Sequence, residues 1–145
     1  MTVKEKALEY HKKGFNCAQC VLCALGDYTG MDEKTALAIA GGFGGGLRCG
    51  EVCGSVSGAV MAVGLCCRFD DEKNEQVKKK IAELAKAACK EFKGEFGKMR
   101  CLDLKRAKKS CDELIAGASE IAERIIIEYN NSQTDREEED TNGNL

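Results

Sequence analysis

The stretch DEKNEQVKKKIAELAKAACKEF, residues 71–92, decides the fold class. Val77, Ile81, Leu84, Ala88 and Phe92 return every three or four residues and make one apolar stripe over a charged back. That period belongs to an amphipathic helix, whereas a half-buried strand would alternate. Gly94 and Gly97 follow and are expected to break the helix.

The helical period recurs outward in both directions. Towards the C-terminus, Ser110 with Glu113 reads as a capping box, and Leu114, Ala118, Ile121, Ile125 and Tyr129 then share a face. From Asn131 the chain turns polar and acidic and is expected to be disordered. Towards the N-terminus, residues 55–67 form a helix of small and apolar residues, with Gly54, Gly58 and Ala62 on one side, where another backbone can approach. Residues 41–54 hold seven glycines in fourteen positions. Asp32 caps a short helix that ends at Ala40. Asn16 with Gln19 makes a second capping box, so Cys17 becomes the first residue of a helix ending near Gly26. Residues 2–13 form the first helix, stopped by Gly14. The expectation is an all-α protein: a single-domain bundle of about five to six helices over residues 1–130, with a glycine-rich loop and a disordered acidic tail over 131–145.

Ten cysteines, one histidine and no proline in 145 residues dominate the chemistry. No apolar run reaches the roughly 18–20 residues of a membrane span. The N-terminal MTVKEK has no apolar signal core, so a cytoplasmic protein without membrane association is expected. Cytosolic thiols stay reduced, and cysteines in this number then point to a metal, a cluster or thiol redox work. About half of them are expected to be ordinary small core residues. Residues 73–109 hold thirteen Lys or Arg against five Asp or Glu. A solvated helix face, or a face for an acidic partner protein, explains this better than nucleic acid, because no aromatic residues interleave the run for base stacking.

Cys17 and Cys111 share one expected setting, the first helical position, where free backbone N–H groups and the helix dipole favour a thiolate. Cys53 ends the glycine-rich loop just before a helix, and Gly44, Gly45, Gly46 and Gly54 can turn amides towards sulfur. Nucleotide binding is excluded on motif: the loop holds no G-x-G-x-x-G and no G-K-[ST] follows. Haem c is excluded for want of C-x-x-C-H, and the lone His11 excludes a zinc site of two cysteines and two histidines. A hydrolase triad would also need His11, which reads as a surface or packing residue. Cys17, Cys20 and Cys23 form C-x2-C-x2-C, but on a helix the outer two stand about 120° apart, a poor cradle for one cluster. Cys66, Cys67 and Cys89 read as packing thiols, with Cys20 and Cys49 as alternative ligands.

Asn16-Cys17-Ala18-Gln19, Gly44-Gly45-Gly46, the run Cys53 to Met61, Cys101, and Cys111 with its apolar helix together resemble the C_GCAxxG_C_C family of redox-active proteins. The family's four cysteines map onto Cys17, Cys53, Cys101 and Cys111, and its C-G-A-x-x-G block has Ser55 in place of alanine. A similar domain accompanies the haem region of split-Soret cytochromes, which implies an iron–sulfur centre, while selenoprotein relatives imply thiol chemistry. The resemblance implies redox function, and three chemistries stay open. The leading one is an iron–sulfur cluster on Cys17, Cys53, Cys101 and Cys111, carrying electrons to a redox partner. The second is a metal-free thiol–disulfide oxidoreductase with Cys17 or Cys111 attacking. The third is a zinc or copper site on the same thiolates. A homodimer through the small-residue helix is also compatible.

Overall fold

A computed structural model describes residues 1–143, with side chains as far as Glu137. The described chain is all-α, with one isolated bridge, Val52 to Arg100, as its extended pairing. Eight α-helices succeed one another: α1 Val3–Lys12, α2 Cys17–Ala24, α3 Gly26–Thr29, α4 Glu33–Ala40, α5 Gly54–Cys67, α6 Glu75–Phe96, α7 Cys101–Arg106 and α8 Cys111–Gly143. The count exceeds the expected five to six because α3 and α7, of four and six residues, are too short to show a period. No helix among the described residues is long and apolar enough to cross a membrane.

The expected caps form. Asn16 accepts from the Gln19 N–H while the Asn16 N–H donates to the Gln19 side chain. Asp32 accepts from the Thr35 N–H, and Ser110 and Glu113 exchange bonds in the same way. Helix α6 begins at the Asn74 cap and is not broken by Gly94. A mid-helix glycine costs about 1 kcal/mol. Staying in register places Phe96 against Phe92, with ring centroids 4.8 Å apart, and over Gly117 of α8, where a Cβ would meet the Phe96 ring at 2.5 Å. Gly97, at φ +85°, then ends the helix in the left-handed region. Helix α8 continues to Gly143, across part of the segment whose composition predicts disorder; the last two residues of that segment lie outside those described.

The α2–α5 pair stands at the centre. A Cβ at Gly58 would lie 2.7 Å from the Ala18 carbonyl oxygen and 3.1 Å from Val21 Cβ. The small face of α5 is therefore packed against α2 of the same chain. Around this pair, α1, α6 and α8 close a core whose fully buried members include Leu22, Leu25, Phe92, Leu104, Ile115 and Ile126. Close α2–α5 contact brings the first residue of α2, Cys17, against the first turn of α5.

Candidate functional site

Each of the four cysteines named by the resemblance stands at a helix start. Cys17, Cys101 and Cys111 are the first residues of α2, α7 and α8, and Cys53 is the N-cap of α5. The ends of helices carry free N–H groups and partial positive charge, so these are the places where a sulfur anion is favoured.

Cys17 and Cys53 meet. Gly54 lets Cys17 come so close that a Cβ there would stand 2.5 Å from the Cys17 sulfur, and the neighbouring Cys53 thiol is placed to donate to that sulfur when it is charged. The shared proton is divided unequally. The bond from Cys53, together with the N–H groups of Gly45 and Ala18, outweighs burial and brings Cys17 down to about 5. Cys53 is pushed up, first by that same bond to the Cys17 thiolate and then by burial. Cys17 is half-buried and Cys53 fully buried, so the charged sulfur is the more accessible one.

The loop delivers the Gly45 amide by an unusual path. Gly45, Gly46, Leu47 and Arg48 are all left-handed, at φ +62°, +63°, +59° and +60°. Leu47 and Arg48 each cost about 1–2 kcal/mol there. Close packing maintains the turn: a Cβ at Gly46 would collide with the Glu51 backbone, and one at Gly44 would lie 2.5 Å from Asn16 Cβ. Asn16 also donates to the Gly41 carbonyl and Gln19 to that of Leu37, so the α2 capping box holds the loop as well as the helix.

Cys53 and Cys101 are tied through the backbone. The Cys53 N–H donates to the Met99 carbonyl at 2.8 Å and the Cys101 N–H to that of Glu51 at 2.7 Å, flanking the Val52–Arg100 bridge. Extended alternation puts Cys53 and Cys101 on one side of this pair and Val52 and Arg100 on the other, which is exposed. Cys111 lies close enough to feel charge on both Cys17 and Cys101. Its thiol is raised, first by partial burial and then by the Cys17 charge. The expectation that helix position favours a thiolate at both Cys17 and Cys111 is thus corrected at Cys111, where burial first and the Cys17 charge second oppose it.

The remaining thiols stand apart in character. Burial pushes Cys20 up to about 12 and Cys23 and Cys67 up to about 11, and Cys89 and Cys66 are also raised by burial. Cys20 donates to the Phe15 carbonyl and Cys66 to that of Tyr28. Cys49 is exposed, over the Gly46 carbonyl. His11, read as a surface residue, uses Nδ1 in a 2.6 Å contact with the Asp112 carboxylate, joining α1 to the first turn of α8 beside Cys111. The two residues are a hundred positions apart, and no local pattern announces the contact.

The unequal pair sets a pH dependence of stability. An unfolded thiol keeps its proton to about pH 8.5. Between about 5 and that value the unfolded chain binds a proton that Cys17 has released, so stability rises with pH and is lost as pH falls towards 5. Above the unfolded value the sign reverses, because the raised Cys53, Cys20, Cys23 and Cys67 keep protons that the unfolded chain gives up. Urea midpoints of the reduced protein should therefore climb from mildly acid to mildly alkaline pH and then drop. The climb should flatten in Cys17→Ser; a wild-type profile as flat as the variant's would refute the unequal pair.

Among the described residues, no three Cys, His, Asp or Glu side chains are placed to hold one metal ion. What the site presents is a thiolate–thiol pair with two further cysteines beside it. No curated protein and no solved structure matches the chain. A family model described as "Putative redox-active protein (C_GCAxxG_C_C)" matches residues 15–125, a span that contains all four cysteines and the glycine-rich loop. The chain belongs to the C_GCAxxG_C_C family.

Proposed function

We propose that the protein is a thiol–disulfide redox protein in which Cys17 attacks and Cys53 resolves. The observation that carries this is the approach of the Cys17 sulfur to the start of α5, where a Cβ at Gly54 would stand 2.5 Å from it, with Cys53 next in the chain and the charge on the more accessible sulfur. The Cys17 thiolate attacks a substrate disulfide, forms a mixed disulfide and expels one substrate thiolate. Cys53 gives up its proton and its sulfur attacks Cys17. The second substrate thiolate leaves and a Cys17–Cys53 disulfide remains. The substrate gains two electrons and the pair loses two; an external dithiol restores it. A reducing compartment such as the cytoplasm suits that cycle.

The rim suits a protein substrate with an acidic surface. Leu47, Val52 and Leu102 are exposed apolar residues on the laced loop and α7, with Arg48, Lys105 and Arg106 exposed among them. Lys105 is near enough to favour charge on Cys111.

An iron–sulfur cluster is the second reading, favoured by the four cysteines standing at helix starts around one place. Cys17, Cys53, Cys101 and Cys111 would be its ligands, and it would supply one-electron transfer. The donor chemistry fits, but Cys101 and Cys111 would have to turn onto the pair. Zinc or copper would ask the same of the same thiolates.

One preparation separates these. The protein, purified anaerobically, is assayed for iron, acid-labile sulfide, zinc and copper, then treated with a small aromatic disulfide and mapped by mass spectrometry. A metal-free protein that accumulates a Cys17–Cys53 disulfide is expected, with Cys89→Ser behaving as wild type. Stoichiometric iron and sulfide, lost in Cys53→Ser, would overturn the dithiol reading in favour of the cluster.

A further inference from the structure

Two side-chain oxygens among the described residues are fully buried with no hydrogen-bond partner, Ser55 Oγ and Ser119 Oγ. A buried hydroxyl without a partner has given up its bonds to water, and a native protein seldom keeps one without cause. Ser119 lies past the first two turns of α8. Ser55 is different. It is the second residue of α5, in the turn that Cys53 caps, so its hydroxyl stands near enough to favour charge on the Cys53 sulfur without meeting the geometry of a hydrogen bond to it in the reduced protein.

In the reduced protein that charge is on Cys17. During exchange it has to move. Once Cys17 is in a mixed disulfide its negative charge is gone, and with it the chief influence that keeps Cys53 protonated. Cys53 must then become a thiolate inside the protein, since it is fully buried. Burial opposes this, and the α5 N-terminus with the Ser55 hydroxyl remains to favour it.

We propose that Ser55 is a positioning residue for the resolving step: its hydroxyl stands unpaired in the reduced protein and donates to the Cys53 sulfur when that sulfur becomes the attacking thiolate. The inference rests on the dithiol reading. The balance is that of the second half of exchange. The Cys53 proton leaves to solvent or to the departing thiol, the Cys53 sulfur bonds to Cys17, and the Cys17–substrate bond breaks. The hydroxyl keeps its own proton throughout and only orients towards the new charge.

The test uses the full chain carrying Ser55→Ala, which deletes an oxygen that bonds to nothing in the reduced fold. Its melting temperature should equal or exceed that of wild type. The rate and pH dependence of Cys17 alkylation should be unchanged. Resolution is read by forming the Cys17 mixed disulfide with an aromatic thiol and following release of that thiol. In Ser55→Ala, release should slow by about tenfold or more at neutral pH, the scale of a hydrogen bond to a charged group. Its pH profile should move to more alkaline values. If the alanine variant does not fold, Ser55→Gly serves for the same comparison. Wild-type Cys17 with an ordinary alkylation profile would sink the dithiol reading itself. A low-pH Cys17 profile together with unchanged release in the variant would sink the role of Ser55 alone.

Discussion

Cys17→Ser is expected to abolish disulfide exchange down to the level of an ordinary surface thiol. The other cysteines cannot take its place. Cys111 is accessible, but its thiol is raised, and Cys20 is buried and held up to about 12. Only Cys17 combines partial exposure with a charge stabilised by Cys53, Gly45 and Ala18. The variant should also change its partner: without a thiolate beside it, Cys53 should titrate lower than in the native pair. Cys53→Ser should look different. It should retain the first attack, accumulate the mixed disulfide and show Cys17 titrating higher, because its largest stabilising bond is gone. Stopped-flow reaction with an aromatic disulfide, followed by mapping, reads both. Full exchange activity in Cys17→Ser would remove the attacking role from this residue.

Gly54→Ala should carry the second large effect, on fold and site together. The added methyl would stand 2.5 Å from the Cys17 sulfur, 2.8 Å from the Phe43 carbonyl oxygen and 3.2 Å from the Ala18 nitrogen. Two of these neighbours are backbone, so α2 or the loop must shift, at a cost of about 1–3 kcal/mol. Whichever moves, the sulfurs separate and the Cys17 thiolate loses its main support. Chemical denaturation should show the lost stability, and the Cys17 alkylation profile should shift upward. Gly42→Ala is the control, since a Cβ there meets nothing within 4 Å. A Gly54→Ala protein with native stability and native thiol titration would mean that α2 and α5 do not approach as described.

Local patterns made the helices and two helix-start cysteines legible. The Asn16–Gln19 box places Cys17, and the Ser110–Glu113 box places Cys111. The Gly54, Gly58 and Ala62 face announced a close helix contact and left its partner unnamed. What stayed hidden was long-range or conformationally unusual. Helix α7 has six residues, too few for a stripe, so Cys101 could be assigned only by resemblance. The pairing of Val52 with Arg100 depends on backbone bonds between distant segments. Nothing in Leu47 and Arg48 signals left-handed geometry, because neither residue favours it. Gly94 misled because a glycine penalty near 1 kcal/mol is smaller than the packing of Phe96 over Gly117. The inequality between Cys17 and Cys111 was hidden for a like reason: helix position treats them alike, while Cys53 lowers the one and burial, then the Cys17 charge, raises the other.

The most direct measurement is the alkylation rate of Cys17 as a function of pH. It is made on the reduced, metal-free protein and resolved by mass spectrometry of the peptide carrying that residue. A midpoint near 5 is expected, well below the raised thiols of Cys20, Cys23, Cys67 and Cys111. A midpoint near 8.5, the value of a free cysteine, would contradict the pair on which the site depends.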